Sequence, residues 1–382
     1  MTNFSPSSAL KFAAAFAAVT LVGCDPSDGN KEYDSGKAAY ELRDLRKADT
    51  LFTKSLSFAP DNVDRLVMLA RVKLDLGELA AAGELINKAS TIAPGDSDVM
   101  LLGAQIAWHA KDYEKAAKAF KAVALNAVFD AEIRSQGMTG LGIVEMTCEN
   151  RHLARVAFLS AIRLDRRNAS AWYHLGMLYR DGFGYAETAL EHFEIFVRLD
   201  VPASPRVQKV QRAIIPALKE LVARAHADIP GASKRDSSAC ATNIAKAEAA
   251  WKKGNYKTAR QNYQDAVNAD PLSYPAALGL ANAWMKTDTT KNGQTKAMEN
   301  YKRACMLRPS AISTFLTTGS LAAKLGYHAQ AVEIYSRAVA ASPTSLEAID
   351  GLIRSLRKAG NGVNAAKAYQ TYRDSLPVRK KK

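Results

Sequence analysis

The chain has 382 residues, of which 48% are apolar, and its 52 Lys and Arg against 38 Asp and Glu give a net charge of +14. This apolar fraction is enough to bury a core, which excludes a wholly disordered chain, and only four cysteines exclude a small fold held together by disulfides. The only long apolar stretch lies near the N-terminus, which excludes a protein with many membrane-spanning helices.

The basic charge is concentrated in the second half of the chain. Residues 24–202 carry 22 basic and 26 acidic residues, residues 203–239 carry 7 and 3, and residues 240–382 carry 22 and 9. Because a charged surface attracts partners of opposite sign, we expect the two halves to recognise different partners.

The first 23 residues have the pattern of a signal peptide, in which Lys11 precedes a short apolar run. The run is shorter than the roughly 20 apolar residues that a membrane-spanning helix needs. Leu21-Val22-Gly23-Cys24 resembles the bacterial lipobox, which implies that Cys24 is lipidated and that its acyl chains anchor the mature protein to a membrane. The alternative is an ordinary signal peptide with an incidental cysteine. We expect residues 24–31 to form a tether.

An alanine followed four positions later by a large apolar residue recurs nine times. The pairs are Ala48/Phe52, Ala82/Ile86, Ala116/Phe120, Ala154/Phe158, Ala189/Phe193, Ala259/Tyr263, Ala297/Tyr301, Ala331/Tyr335 and Ala365/Tyr369. Most pairs are 34 to 38 residues apart, with one gap of 70. A proline follows six of the alanines by twelve residues, at Pro60, Pro94, Pro271, Pro309, Pro343 and Pro377.

With Trp172-x-x-Leu175-Gly176-x-x-Tyr179, these residues resemble the tetratricopeptide repeat (TPR) family over residues 29–202 and 240–379. The resemblance implies an all-α superhelical solenoid of about nine helix-turn-helix repeats, with five in a first block and four in a second. Within each repeat, small residues are expected where helix A crosses helix B. The large residue is expected to fill the space toward the next repeat, and the proline to end helix B.

Residues 203–239 interrupt the repeats. Ser204-Pro205 predicts a helix start, helical periodicity continues to about Ala227, and Pro216 is expected to kink the helix. We interpret this segment as a capping helix and a linker, and a degenerate repeat is the alternative. Residues 380–382, after Arg379, form a basic tail that is either solvated or attracted to anionic lipid.

The family resemblance implies a concave face lined by the second, fifth, ninth, twelfth and thirteenth residues of each repeat. At the thirteenth position the first block has Glu41, Asp75, His109, Thr147 and Asp181. The second block has Lys252, Lys286, Lys324 and Lys358, joined by Arg354 and Arg357. These lysines are a candidate site for an acidic partner, or else an ordinary solvated row, since cations are favoured near helix C-termini. Candidate aromatic anchors for a bound peptide, which could equally be packing residues, are Tyr33, Tyr40, Trp108, Tyr173 and Trp251.

The sequence has no Gly-rich phosphate loop, metal-binding motif or nucleophile motif, so we expect no cofactor, no metal and no enzymatic activity. Cys148, Cys240 and Cys305 fall in separate repeats. We expect free thiols, and a Cys240–Cys305 disulfide is the alternative. Nucleic acid would fit the charge but not the signal peptide, and is not expected as a partner.

The sequence therefore predicts a lipid-anchored, periplasm-facing scaffold of a bacterial cell envelope, in either the inner or the outer membrane. It would bind other proteins in its groove and serve an envelope complex for pili, secretion, or outer-membrane or polysaccharide export, by analogy of plan alone. The alternative is that the basic C-terminal block binds an anionic envelope polymer or a lipid surface.

Overall fold

The computed structural model describes residues 28–227, 229, 233, 235–360 and 362–376. The predicted signal peptide, Cys24 and the basic tail lie outside these residues. The described chain is all-α, and its first five helix pairs are α1 (Asn30–Glu41) and α2 (Leu45–Phe58), α3 (Val63–Asp75) and α4 (Leu79–Ile92), α5 (Ser97–His109) and α6 (Tyr113–Leu125), α7 (Ala131–Thr147) and α8 (Arg151–Leu164), and α9 (Ala169–Met177) and α10 (Ala186–Leu199). Because α1 begins at Asn30, the last two residues of the expected tether are helical.

A helical segment between the blocks and a further set of helix pairs complete the described chain. The segment between the blocks forms α11 (Pro205–Lys209) and α12 (Ile215–Ala227), joined by a π-helical turn at Val210–Ile214. The remaining helices are α13 (Ser237–Lys252), α14 (Tyr256–Ala269), α15 (Tyr274–Thr287), α16 (Lys291–Leu307), α17 (Ile312–Lys324), α18 (His328–Ala341), α19 (Leu346–Lys358) and α20 (Val363–Asp374). No helix in the described part of the chain is long and apolar enough to span a bilayer.

The chain divides into two compact units. The first unit extends to Leu175 and includes residues 199–201, and the second unit comprises Gly176–Arg198 and the chain from Pro202 onward. The first unit therefore contains repeats one to four, and the second contains repeats six to nine with most of repeat five. In repeats one to four and six to nine, each helix packs against the next helix along the chain, and neighbouring A helices also touch in several of these repeats.

The helices end where local chemistry predicts. Five B helices end two residues before a proline, at Phe58, Ile92, Ala269, Leu307 and Ala341. Proline has no N–H to donate and its ring clashes with the preceding turn, so the helix cannot continue. The turn between helices A and B usually contains one residue with positive φ, as at Gly254 (76°) and Gly326 (84°). Glycine adopts this conformation without the steric cost that a Cβ brings.

Tyr335 on α18, the large residue of repeat eight, lies between two A helices. A Cβ at Gly319, on the A helix of its own repeat, would lie 2.8 Å from its ring. A Cβ at Gly351, on the A helix of the next repeat, would overlap the same ring. The predicted role of the small residues is therefore confirmed at these two glycines, and the Tyr335 ring fills space toward its own repeat and the next one. Eight alanines of the repeated pairs are fully buried, whereas Ala365 in the last repeat is only half-buried.

Pro216 is accommodated by a π-helical turn. The Ile215 N–H donates to the Val210 carbonyl, five residues back, in the turn that precedes the proline. Because the backbone hydrogen bonds of a π-turn reach five residues back instead of four, the helix can continue past Pro216, which has no N–H to donate. The expected kink therefore takes the form of a π-turn, and Val207, Val210 and Leu218 are all buried. The helical segment ends at Ala227, as predicted.

Candidate protein-binding groove

Two concavities lie on the A-helix side of the second unit. The smaller, of about 290 Å³, lies between repeats six and seven and is lined by Glu248, Trp251, Lys252, Tyr263, Gly279 and Asn282. The larger, of about 460 Å³, extends over repeats seven to nine and is lined by Met285, Tyr301, Ser313, Leu316, Thr317, Ser320, Leu321, Lys324 and Glu347. Most of these are second, fifth, ninth, twelfth or thirteenth residues of their repeats, the positions that the sequence resemblance assigned to the concave face.

Each concavity is lined by one buried tyrosine, Tyr263 in the smaller and Tyr301 in the larger. Tyr263 lies beneath Gly279, where any added Cβ would overlap its ring. Tyr301 donates a hydrogen bond from its hydroxyl to Asn282 Oδ1 at 2.5 Å, which links the larger concavity to the smaller one. Burial raises the pKa of both tyrosines, so both hydroxyls are protonated at neutral pH. The two tyrosines are therefore fixed by packing and a hydrogen bond before any partner arrives.

Each concavity carries one charge of each sign on an otherwise uncharged lining. Glu248 and Lys252 line the smaller one, and Glu347 and Lys324 line the larger. Neither carboxylate forms an ion pair within the described chain. Apolar surface is contributed by Trp251 in the first case and by Met285, Leu316 and Leu321 in the second. A bound segment would therefore meet apolar surface flanked by an acid and a base.

The four predicted lysines separate into two pairs. Lys252 and Lys324 line the concavities, whereas Lys286 and Lys358 do not. All four are exposed, and none has a carboxylate within 4 Å among the described residues.

Both predicted arginines on α19 are exposed, and Arg357 lies at the end of the helix. The charge of Arg354 opposes the rise in the pKa of Tyr335 that burial causes.

The corresponding residues of the first unit are engaged with one another. The Tyr40 hydroxyl donates to Asp75 Oδ2 at 2.8 Å, and Arg43 donates to the same oxygen at 3.0 Å. Burial, followed by the Asp75 charge, raises the pKa of Tyr40. Trp108 Nε1 donates to Thr147 Oγ1 at 3.4 Å. Tyr40 and Trp108 therefore tie the ends of neighbouring A helices together, which is the packing alternative for these two aromatics.

The other predicted aromatics also contact neighbouring rings. Tyr33 meets the ring of Phe52 edge-on, with centroids 5.6 Å apart. Tyr173 meets His174 in the same way at 5.1 Å. Trp251 contacts Tyr256 at 4.9 Å, and it alone of the predicted aromatics lines one of the two concavities described here. Sequence reasoning missed Met285 and Leu316, although they hold the twelfth and fifth positions of their repeats, which were expected to face the groove. It also missed Leu321, whose tenth position was not among those expected.

Within the described chain, no group of three His, Cys, Asp or Glu is arranged to hold a metal ion. Cys148, Cys240 and Cys305 are free thiols, as predicted, so the alternative Cys240–Cys305 disulfide is not formed. Cys305 is buried beside Thr318, and this burial raises its pKa to about 11. A thiol with so high a pKa is a poor nucleophile at neutral pH.

A family model for the tetratricopeptide repeat matches residues 33–97 and 244–292. These two segments are TPRs. The first covers most of repeats one and two, and the second covers repeat six and the start of repeat seven. No curated protein matches the chain.

Several solved TPR-like structures resemble the chain at low identity. A thermophilic TPR protein of Thermus thermophilus is 19% identical, with a TM-score of 0.44, covering 50% of this chain and 99% of its own. PilF of Pseudomonas aeruginosa is 15% identical, with a TM-score of 0.40, covering 65% of this chain and 95% of its own. A MamA protein is 19% identical, with a TM-score of 0.35, covering 50% and 97%.

Proposed function

We propose that this protein is a membrane-anchored scaffold that binds other proteins in the groove of its second unit. The observation that carries the proposal is the pair of concavities, which are lined by the groove-facing positions of successive repeats. Stacked repeats present extended surfaces of this kind to peptide segments of their partners. TPRs are protein-interaction modules, and we propose no catalytic role for the chain.

The lining favours a partner segment with apolar anchors. Trp251 in the smaller concavity, and Met285 with Leu316 in the larger, offer surface on which large apolar side chains can be buried. Lys252 and Lys324 would pair with acidic residues of the partner, whereas Glu248 and Glu347 would pair with basic ones. Because each concavity carries both signs, the groove itself does not require a uniformly acidic partner.

We propose that Cys24 is lipidated and that the repeats face the periplasm of a bacterial cell envelope. The support is the signal-peptide pattern followed by Leu21-Val22-Gly23-Cys24. A scaffold held at a membrane would bring partners of an envelope machine together, and assembly of a pilus, secretion or export complex is the setting we propose.

Site-specific photocrosslinking in the native host tests the groove. A photoreactive phenylalanine analogue at Ser320, exposed in the larger concavity, is expected to form adducts with a discrete partner. The same analogue at Gln261, exposed on α14 outside both concavities, is the control. Adding Leu316→Gln should remove the Ser320 adducts, because it replaces apolar surface that the partner covers.

The proposal fails if Ser320 and Gln261 give the same adducts, or if Leu316→Gln leaves the Ser320 adducts unchanged. Circular dichroism and thermal unfolding of each variant exclude a trivial loss of fold, since Leu316 is only half-buried.

A further inference from the structure

Basic side chains line one edge of the second unit, where the turns between helices A and B lie side by side. The twelfth to eighteenth residues of repeats six to nine hold eight basic residues and one acidic residue, whereas the same window of repeats one to four holds four basic and seven acidic residues. We call the eight residues the basic edge: Lys252, Lys253, Lys257, Lys286, Lys291, Lys324, Arg357 and Lys358. All eight side chains are exposed.

The charge of the basic edge is not neutralised within the described chain. None of the eight side chains has a carboxylate oxygen within 4 Å. The one acid in these turns, Asp288, accepts hydrogen bonds from the Thr290 N–H at 2.9 Å and from the Thr290 hydroxyl at 2.6 Å. Its carboxylate therefore shapes the turn and pairs with none of the neighbouring lysines.

In the first unit, charged residues in and beside the corresponding turns form ion pairs with residues of opposite charge. Arg43 pairs with Asp75 at 3.0 Å, and Glu78 pairs with Lys73 at 2.9 Å. Two of the B helices there are capped by carboxylates, Asp44 and Asp112, which accept from the backbone of the first helical turn. The residues that precede α14 and α16 in the second unit are the uncharged Asn255 and Thr290. At these two helix starts, the second unit therefore has no carboxylate that could neutralise the neighbouring lysines.

The composition of the edge favours a diffuse anionic surface over a single defined anion. Seven of the eight cations are lysines, which act as hydrated point charges, whereas recognition of one phosphate or carboxylate favours the planar fork of arginine. Only Lys252 and Lys324 also line a concavity. Two of the turns add a half-buried tyrosine, Tyr256 and Tyr327, a residue type that suits the interface between headgroups and acyl chains.

We propose that the basic edge binds the surface of a bilayer rich in anionic phospholipid. This contact involves residues other than the apolar anchors of the groove, so it does not depend on the protein partner proposed above. It also does not require Cys24, although a lipid anchor would keep the edge close to a bilayer and strengthen the contact. Each lysine near an anionic surface is expected to strengthen binding about five-fold.

Vesicle sedimentation with the full chain carrying Cys24→Ser tests the proposal, because that background removes any lipid anchor. We expect stronger binding to vesicles of 30% phosphatidylglycerol in phosphatidylcholine than to phosphatidylcholine alone, and a steep loss of this difference at high salt. Replacing Lys253, Lys257, Lys286 and Lys291 by Glu should weaken binding to the anionic vesicles by more than about 100-fold. This variant leaves Lys252, Lys324 and the apolar groove residues unchanged.

A matched control carries the same change in charge away from the edge. Lys209, Lys246, Lys302 and Lys367 belong to the second unit but lie outside the turns that form the edge. Their replacement by Glu should weaken binding far less than the edge variant does. If the edge variant loses helicity, a variant with Gln at the same four positions keeps the comparison available.

Three results would overturn the proposal. The first is equal binding to anionic and neutral vesicles. The second is an equal loss in the edge and control variants, which would mean that only net charge matters. The third is retention on dextran sulfate without any binding to anionic vesicles, which would identify a soluble polyanion as the ligand. If the analogue at Ser320 forms no adducts but the protein still binds anionic vesicles, the proposed protein-binding groove is contradicted and the basic edge is not.

Discussion

The ring of Tyr185, in the turn of repeat five, lies against the guanidinium of Arg337 on α18, with the Arg337 Cζ 4.9 Å from the ring centroid. The Tyr185 hydroxyl also reaches the carbonyl of Glu333, 148 residues away in sequence, at 3.5 Å. Both residues belong to the second unit, and Tyr185 is buried. This contact joins repeat five to repeat eight, which are not neighbours in the chain.

A double-mutant cycle measures this contact. Tyr185→Leu and Arg337→Met should each destabilise the protein, and the double variant should lose less than the sum, with a coupling of about 0.5–2 kcal/mol. The cycle separates the stacking from the ion pair of Arg337 with Glu333, which Arg337→Met also removes. Urea unfolding of the four proteins gives the coupling, and a value near zero would show that the two side chains act independently.

Substitution of glycines tests the packing of the rings between helices. A Cβ at Gly142 on α7 would lie 2.5 Å from the Phe158 ring, so Gly142→Ala should lower the free energy of unfolding by about 1–3 kcal/mol. Gly83 on α4 belongs to the same unit and has open space around it. Gly83→Ala should therefore raise stability by about 0.5–1 kcal/mol, because alanine is the better helix former. The same sign of change at both sites would contradict the packing described above.

The buried His192 should make stability depend on pH. Burial lowers its pKa from 6.5 to about 4, and its Nδ1 contacts the Thr188 carbonyl at 2.7 Å, which is consistent with a neutral ring that donates. The unfolded state therefore binds a proton that the folded state does not. The free energy of unfolding is therefore unaffected by His192 above about pH 6.5, and it falls by on the order of 3 kcal/mol as the pH falls from 6.5 to 4.

Comparison with a variant isolates this effect from other titrations. His152 is half-buried and desolvation lowers its pKa to about 3, so the wild type carries more than one such group. Urea unfolding at pH 7.5 and pH 4.5 should show a smaller loss of stability in His192→Gln than in the wild type. Equal losses in the two proteins would show that His192 is protonated in the fold without cost.

Membrane fractionation tests the proposed anchor. In the native host, Cys24→Ser should move the protein from the membrane fraction toward the soluble periplasmic fraction, because no acyl chain can be attached to serine. Metabolic labelling with a palmitate analogue should mark the wild type and not the variant. Unlabelled wild-type protein would show that Cys24 is an incidental cysteine. Labelled protein that leaves the membrane would show that the anchor is weaker than proposed.

Much of the repeat architecture could be predicted because it depends on local rules. Prolines marked the ends of the B helices, and the small residues and rings fixed which faces are buried. The groove-facing positions were implied by the resemblance to the TPR family, which predicted Lys252, Lys324 and Trp251 as groove residues, and these three line the two concavities. All of this information recurs in each repeat and can be read one repeat at a time.

Features that join different repeats could not be predicted in this way. The sequence does not show that Tyr40 donates to Asp75, since each residue has a reasonable role alone. The contact of Tyr185 with Arg337 requires the path of the chain through α11 and α12 to be known. Each concavity has mixed charge because it is lined by both a glutamate and a lysine, Glu248 with Lys252 and Glu347 with Lys324. Counting charges along the sequence shows only that residues 240–382 are basic, and does not show which acids lie beside which lysines.

The position of Tyr335 between Gly319 and Gly351 limits how such a chain can lengthen or shorten in evolution. Because the ring occupies space in two repeats, a copy can be gained or lost only if the new neighbours again place small residues on both sides of a ring. Duplication of a whole repeat satisfies this condition at once, whereas a deletion that begins within a helix leaves a ring without its cover. Changes in the number of repeats should therefore occur in whole copies, and each copy retained would extend the groove by one set of side chains.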